Sequence, residues 1–316
     1  MKADPRFAAL VERLVRRGLE VTAPGRLSEF TTFRLGGPCP AVITCRTPAQ
    51  LEAAVRELAA AEAVFDLVGG GSNVLVSDAG LDRPVLRYAT DDVIARRSGD
   101  FVEAAGCAPL DGLVLFTIEE ELDGLVCCSG IPGTVGGAVV GNAGAFGRQI
   151  GDCAVSVRLM DREGRPREAA AGELGFAYRS SRLQQGSEAV VAVRLKLAPG
   201  DRRKLRAERE EILALRRDRH PDLRTVPTAG SFFRNVEPTS KAGMRQAAGW
   251  FLDQAGAKDL RVGGARVYEK HANIIVGDAG CRAQDVLDLS RRMAEAVRRK
   301  FDLVLAPEVK TLGPFA

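Results

Sequence analysis

Apolar residues recur along the chain at two spacings, and the alternation between them outlines the elements. Leu51, Ala54, Val55 and Leu58 follow Thr47-Pro48-Ala49-Gln50 at helical spacing, which predicts a helix over residues 48–62. Thr47 offers a capping hydroxyl, Pro48 suits the first helical position, and Gln50 completes a capping-box sequence. The apolar run 64–68 predicts a buried strand that opens directly into Gly69-Gly70-Gly71-Ser72-Asn73. Residues 74–76 form a further strand, closed by Ser77-Asp78-Ala79-Gly80. The N-terminal third therefore reads as a small α/β unit.

Residues 85–108 are short β-like segments, and 110–121 is helical by pattern. An uncharged, glycine-rich stretch follows, whose composition makes a poor helix. Strands are expected at 155–160 and 190–197, with a turn at Asp161-Arg162-Glu163-Gly164. Pro199-Gly200 breaks the chain before a charged helix, 201–219, that leads into another domain. Residues 221–235 read as a loop, 249–257 as a short helix, 262–276 as strands, and 283–299 as a long amphipathic helix. Leu303-Val304-Leu305 is strand-like. Met1 to Arg17 reads as an amphipathic helix with Phe7, Leu10 and Leu14 inward, without the apolar core of a signal peptide.

Length and charge narrow the class. A chain of 316 residues, 46% hydrophobic and 27% charged, suits about two globular domains and excludes a mostly disordered chain. Lys plus Arg number 45 against 41 acidic residues, with no basic tail or stripe, so no nucleic-acid partner is expected. Residues 124–147 carry no charge and could span a bilayer in length, but Pro132, Asn142 and frequent glycines argue against it. Seven cysteines without a CxxC pair fit reduced thiols in the cytoplasm. Two histidines exclude a histidine-rich metal site, and no metal is expected.

The chemistry begins with two glycine loops. Glycine permits the positive φ angles that turn successive N–H groups toward one anion. The first loop is Gly69-Gly70-Gly71-Ser72-Asn73, and the second runs from Ser129 through Gly130, Ile131, Pro132, Gly133, Thr134, Gly136, Gly137 and Ala138 to Asn142 and Gly144. Neither is a GxGxxG fingerprint or a P-loop, which disfavours both nucleotide folds. Together they point to a large phosphate-bearing cofactor.

At these residues the chain resembles a known family. Thr31-Thr32-Phe33-Arg34-Leu35-Gly36-Gly37-Pro38, the GGGSN loop and the stretch SGIPGTVGGAVVGNAGAFG resemble the UDP-N-acetylenolpyruvoylglucosamine reductases. The resemblance continues through Phe176-Ala177-Tyr178-Arg179, Ala229-Gly230-Ser231-Phe232-Phe233-Arg234-Asn235, Gly263-Gly264-Ala265, Glu269-Lys270-His271-Ala272-Asn273 and Leu305-Ala306-Pro307-Glu308-Val309. These blocks stand in order over residues 31–313, which makes the set far more specific than any one of them.

The resemblance implies an α+β fold: the FAD-binding fold of the p-cresol methylhydroxylase and vanillyl-alcohol oxidase type, with a C-terminal α/β substrate domain. It implies flavin-binding subdomains at 1–88 and 89–200, a substrate domain at 201–302, and a terminal strand at 303–316 returning to the first. FAD would be held non-covalently by the two glycine loops, with NADPH as hydride donor and a UDP-sugar nucleotide as substrate. Hydride delivered to an enol ether leaves negative charge beside a carboxylate, which needs stabilisation and then a proton. By motif position Ser231 resembles the proton donor, and Arg179 and Glu308 the stabilising pair, with Glu308 most useful when protonated. Tyr178, Arg219, Asn235, Lys270, His271 and Asn273 fall at expected substrate contacts; Arg219 replaces a lysine carried by some relatives. The stretch after Arg179 is the shorter form, without a tyrosine-bearing insert. Thr228 and Ala248 carry no assignment. A cytoplasmic monomer without nucleic-acid or membrane partners is the expectation. The competing readings are an oxidase on the same fold, a flavin-binding module without turnover, and a serine hydrolase; the last lacks a G-x-S-x-G context.

Overall fold

The computed structural model describes residues 5–237 and 245–316, so Met1–Asp4 of the expected N-terminal helix lie outside the described residues. Two compact units emerge. Unit 1 comprises Met1–Gly25, Cys39–Gly70 and Asp82–Ala214; unit 2 comprises Arg26–Pro38, Gly71–Leu81 and Leu215–Ala316.

In unit 1, helix α1 (Pro5–Arg16) packs on α2 (Pro48–Ala60). Thr47 Oγ1 accepts from Gln50 N at 3.2 Å, as its sequence predicts, while Gln50 Oε1 accepts from Arg46 N at 2.7 Å, one residue earlier than a capping box requires. Leu51, Ala54, Val55 and Leu58 are buried with Leu10 and Leu14 against Ile43 and Leu86. The underlying sheet runs Glu20–Thr22, Val42–Cys45, Val85–Tyr88, Asp66–Val68; only the first pair is antiparallel.

A second, wholly antiparallel sheet of unit 1 runs Pro166–Ala170, Ala154–Met160, Ala189–Lys196, Phe101–Ala105, Ala95–Ser98. Its inner face shares a core with α3 (Leu110–Glu119), α4 (Val135–Gly141) and α5 (Arg202–Arg219), through Leu113, Val114, Val139, Val157, Val193 and Ile212. Helix α4 corrects the sequence reading of the glycine-rich stretch. Thr134 Oγ1 caps it by accepting from Gly137 N at 3.2 Å, and Val135, Ala138 and Val139 are buried. A Cβ on Gly136 would stand 3.0 Å from the Gly106 carbonyl oxygen, so the glycine that weakens the helix also permits its close packing.

Unit 2 joins the antiparallel strands Arg261–Val262, Ala265–Tyr268 and His271–Gly277 to α6 (Ala248–Gln254) and α7 (Ala283–Phe301). Asp78 carboxylate oxygens accept from Ala283 N at 3.0 Å and Gln284 N at 3.2 Å, which places an acid at the N-terminus of α7. Leu303-Val304-Leu305 is not a strand: Val304 is 85% exposed. The terminal strand is Lys310–Leu312, paired in parallel with Val74–Val76. Among the described residues no helix is long and apolar enough to cross a membrane.

Candidate active site

Within unit 1 the two glycine loops meet backbone to backbone. A Cβ on Gly69 would lie 2.5 Å from Thr134 Oγ1, and one on Gly70 3.1 Å from Gly133 Cα. Gly133 O accepts from Leu110 N at 3.0 Å, Val135 N donates to Ala108 O at 2.9 Å, and Gly136 N donates to Gly106 O at 2.8 Å. Gly130 N donates to Asp111 Oδ1 at 2.6 Å, and buried Arg209 grips both oxygens of that carboxylate at 2.6 and 2.7 Å. Asp111 and Arg209 thereby anchor the second loop. Sequence reasoning missed them, because 98 residues separate the pair and neither lies in a recognisable motif.

The first loop continues into unit 2. There Gly71 has φ +66°, and a Cβ would stand 2.0 Å from Phe30 O. Asn73 Nδ2 donates to Glu308 O at 3.2 Å, and Lys310 N donates to Asn73 O at 3.1 Å. Ser72 and Ile131 are half-buried and Pro132 exposed. The two loops contain no carboxylate, and their principal polar groups are backbone amides and short hydroxyls. That donor set, with glycines where a Cβ would fill the space, fits a pyrophosphate-bearing cofactor.

Three expected cofactor contacts have other duties. Ser129 is fully buried and its Oγ donates to Val126 O at 2.6 Å. Gly144 is buried in a hairpin where a Cβ would meet Arg148 O at 2.1 Å. Asn142 is 1% exposed, and both ends of its side-chain amide bind backbone: Nδ2 donates to Ala177 O at 2.8 Å and Oδ1 accepts from Gly151 N at 2.9 Å. Its side chain therefore braces protein rather than reaching for ligand.

That brace leads to Arg179. Ala177 and Ser180 exchange two hydrogen bonds of 3.0 Å across Tyr178-Arg179, which forms a tight turn. Arg179 sits in the left-handed region at φ +51°, a conformation that costs a non-glycine residue of order 1–3 kcal/mol. Its carbonyl accepts from Gln184 Nε2 at 3.0 Å, and its guanidinium carbon stands 5.8 Å from the centre of the Tyr178 ring. The adjoining Ser181 is buried and donates to Val140 O at 2.7 Å.

In unit 2, Ser231 follows Gly230 (φ +78°) and forms an antiparallel bridge with Ile274. Phe232 N donates to Asn273 O at 2.8 Å, and Phe232 O accepts from Glu308 N at 2.8 Å. Phe233 bridges Pro307, and Arg234 N donates to Ala306 O at 2.9 Å. The segment 231–234 thus has a strand partner on each edge, and Glu308 pairs with Phe232, the residue next to Ser231. Among the described residues nothing pairs with the Ser231 hydroxyl.

Asn273 is 3% exposed: its Oδ1 accepts from Phe233 N at 2.9 Å and its Nδ2 donates to Phe233 O at 2.8 Å. This corrects its reading as a substrate contact. Asn235 Oδ1 accepts from Ala248 N at 3.2 Å, at the start of α6. His271 Nδ1 accepts from Asn273 N at 3.3 Å, and the His220 ring centre lies 5.3 Å from that of His271. Burial, then His271, Arg216 and Arg219, push His220 down to about 4; burial also lowers His271. Arg219 and Lys270 are exposed.

Comparison with known proteins adds to this geometry. Residues 220–312 match the model for the UDP-N-acetylenolpyruvoylglucosamine reductase C-terminal domain, and residues 39–170 match an FAD binding domain. The UDP-N-acetylenolpyruvoylglucosamine reductase of Gloeobacter violaceus is 35% identical over 288 residues, covering 91% of this chain and 94% of that protein. The reductase of Carboxydothermus hydrogenoformans is 34% identical over 309 residues, covering 97% and 99%. The crystal structure of the Thermus caldophilus reductase aligns with a TM-score of 0.74 and 31% identity over 93% of this chain and 99% of that one.

Proposed function

The chain belongs to the UDP-N-acetylenolpyruvoylglucosamine reductase family, and on that premise we propose how its residues share the reaction. It is an FAD-dependent oxidoreductase that uses NADPH to reduce the enolpyruvyl group of UDP-N-acetylglucosamine enolpyruvate to a lactyl ether, in peptidoglycan precursor synthesis. Bound FAD would supply, at the terminal carbon of the enol ether, the hydride taken from NADPH.

Gly69, Gly70, Gly71, Ser72 and Asn73, with Gly133 and Thr134, hold the pyrophosphate through their amides and short hydroxyls, on a loop that Gly130, Ile131, Pro132, Gly136, Gly137 and Ala138 shape. Hydride arrival leaves negative charge on the adjoining carbon and its carboxylate. Arg179 and Glu308 stabilise that charge, and Ser231 Oγ gives its proton to the carbon. Tyr178, Arg219, Asn235, Lys270 and His271 are the proposed substrate contacts. Flavin-holding subdomains at 1–88 and 89–200 and a substrate domain at 201–302 belong to the same proposal; the FAD-binding match over residues 39–170 and the C-terminal match over 220–312 support a flavin-holding part followed by a substrate part. A cytoplasmic monomer completes it, in keeping with its soluble nucleotide substrates.

The observation that carries the assignment is the pairing of Glu308 with Phe232, next to Ser231, whose hydroxyl has no partner among the described residues. The purified protein should be yellow, bleach with NADPH and recover its colour on adding the enolpyruvyl sugar nucleotide. Acid precipitation should release all colour to the supernatant, since neither His220 nor His271 lies in the flavin-holding region. A colourless protein that FAD cannot reconstitute would contradict the assignment.

A further inference from the structure

A serine hydroxyl is a weak acid, and it can protonate a carbanion only when held against it to within a fraction of an ångström. Ser231 follows a glycine with positive φ, the least constrained kind of backbone. Buried Thr228, 1% exposed, removes that freedom: its Oγ1 accepts from Gly230 N at 3.1 Å and donates to Ile275 O at 2.6 Å. One hydroxyl therefore closes the turn and staples it to the strand on which Ile274 bridges Ser231. Thr228 is itself fixed from behind. Thr32 Oγ1 donates to Thr228 O at 2.7 Å, Thr228 N donates to Thr32 O at 3.3 Å, and Thr32 N donates to Gly71 O at 3.0 Å.

We infer that Thr228 is the positioning residue for Ser231, and that Thr32 extends its hold to Gly71 of the first glycine loop. The inference rests on the reading of Ser231 as proton donor. Thr228 touches neither reactant; it acts by fixing where the serine hydroxyl stands.

Thr228→Val keeps the shape and removes both hydroxyl bonds, whereas Thr228→Ser keeps the bonds and drops a methyl. Rapid mixing should show NADPH reduction of the flavin within a few-fold of normal in both. Reoxidation by the enolpyruvyl sugar should fall roughly 10- to 100-fold in the valine variant and return to within a few-fold in the serine variant. Amide hydrogen exchange over residues 228–233, read without any turnover, should accelerate about tenfold in the valine variant and not in the serine variant. If the valine variant does not accumulate, Thr228→Ala carries the same comparison. Ser231→Ala run alongside separates the two claims. Normal reoxidation in Ser231→Ala sinks the proton-donor reading itself. Slow reoxidation there, with normal rates and exchange in Thr228→Val, overturns the positioning role alone. Equal losses in Thr228→Val and Thr228→Ser, or in both half-reactions, overturn it too.

Discussion

The turn that carries Arg179 in unit 1 and the segment that carries Ser231 in unit 2 solve one problem by different means. Arg179 occupies a strained left-handed position, closed by the Ala177–Ser180 pair and braced by the buried amide of Asn142. Ser231 lies on extended backbone with partners on both edges, and the buried amide of Asn273 grips Phe233 two residues beyond it. A turn braced at one end concentrates its dependence on few bonds. A segment paired along both edges spreads it. The difference implies that equivalent lesions should harm the arginine more than the serine.

Short of removing the proton donor itself, the largest loss in that comparison should come from Arg179→Lys. It retains the charge but loses the planar, multi-donor grip on a carboxylate, and about 3 kcal/mol of transition-state stabilisation should go with it, roughly 150-fold in flavin reoxidation. Reduction by NADPH should stay within a few-fold; equal loss in both half-reactions would make Arg179 a folding or cofactor residue. Asn142→Leu comes next. With the Ala177 brace gone, reoxidation should drop about tenfold while the protein melts at a lower temperature, since the mutation leaves buried backbone groups unpaired. Asn273→Leu should melt early as well, yet reoxidise within about fivefold of normal because the edge pairings of segment 231–234 persist. Reoxidation falling as far in Asn273→Leu as in Asn142→Leu would erase the distinction.

The smallest effect is a pH dependence confined to unit 2. His220 is lowered to about 4 from an ordinary 6.5, so the unfolded chain binds its proton more readily than the folded one. Its neutral form contributes stability that is present above pH 6.5 and fades as pH falls from there toward 4. Denaturant titrations of His220→Phe should show a flatter stability profile across that window. An unchanged slope would assign the dependence to other groups.

Much of this is legible in the sequence. The capping residues and spacing around Thr47 gave α2, and the apolar stripe over 283–299 gave α7 to within two residues. The ordered motifs led to Arg179, Ser231 and Glu308. Helix α4 was hidden because its glycines lower helix propensity, while burial against Gly106 decides the outcome. Leu303-Val304-Leu305 is strand-like in its apolar character, but within the terminal segment 303–316 pairing with Val74–Val76 selects Lys310–Leu312. For Asn142 and Asn273 the sequence reveals an amide and not the direction it faces. Both face backbone.

In the proposed reaction the serine acts only after the flavin has been reduced. Ser231→Ala protein, reduced with NADPH in the absence of oxygen and then mixed rapidly with the enolpyruvyl sugar nucleotide, tests this most directly. Flavin reduction and substrate binding should be near normal, while reoxidation slows by several orders of magnitude; Ser231→Cys, with a proton of lower pKa in nearly the same place, should recover much of the rate. Reoxidation of the alanine variant at close to the normal rate would contradict the account and leave bound water as the first alternative donor.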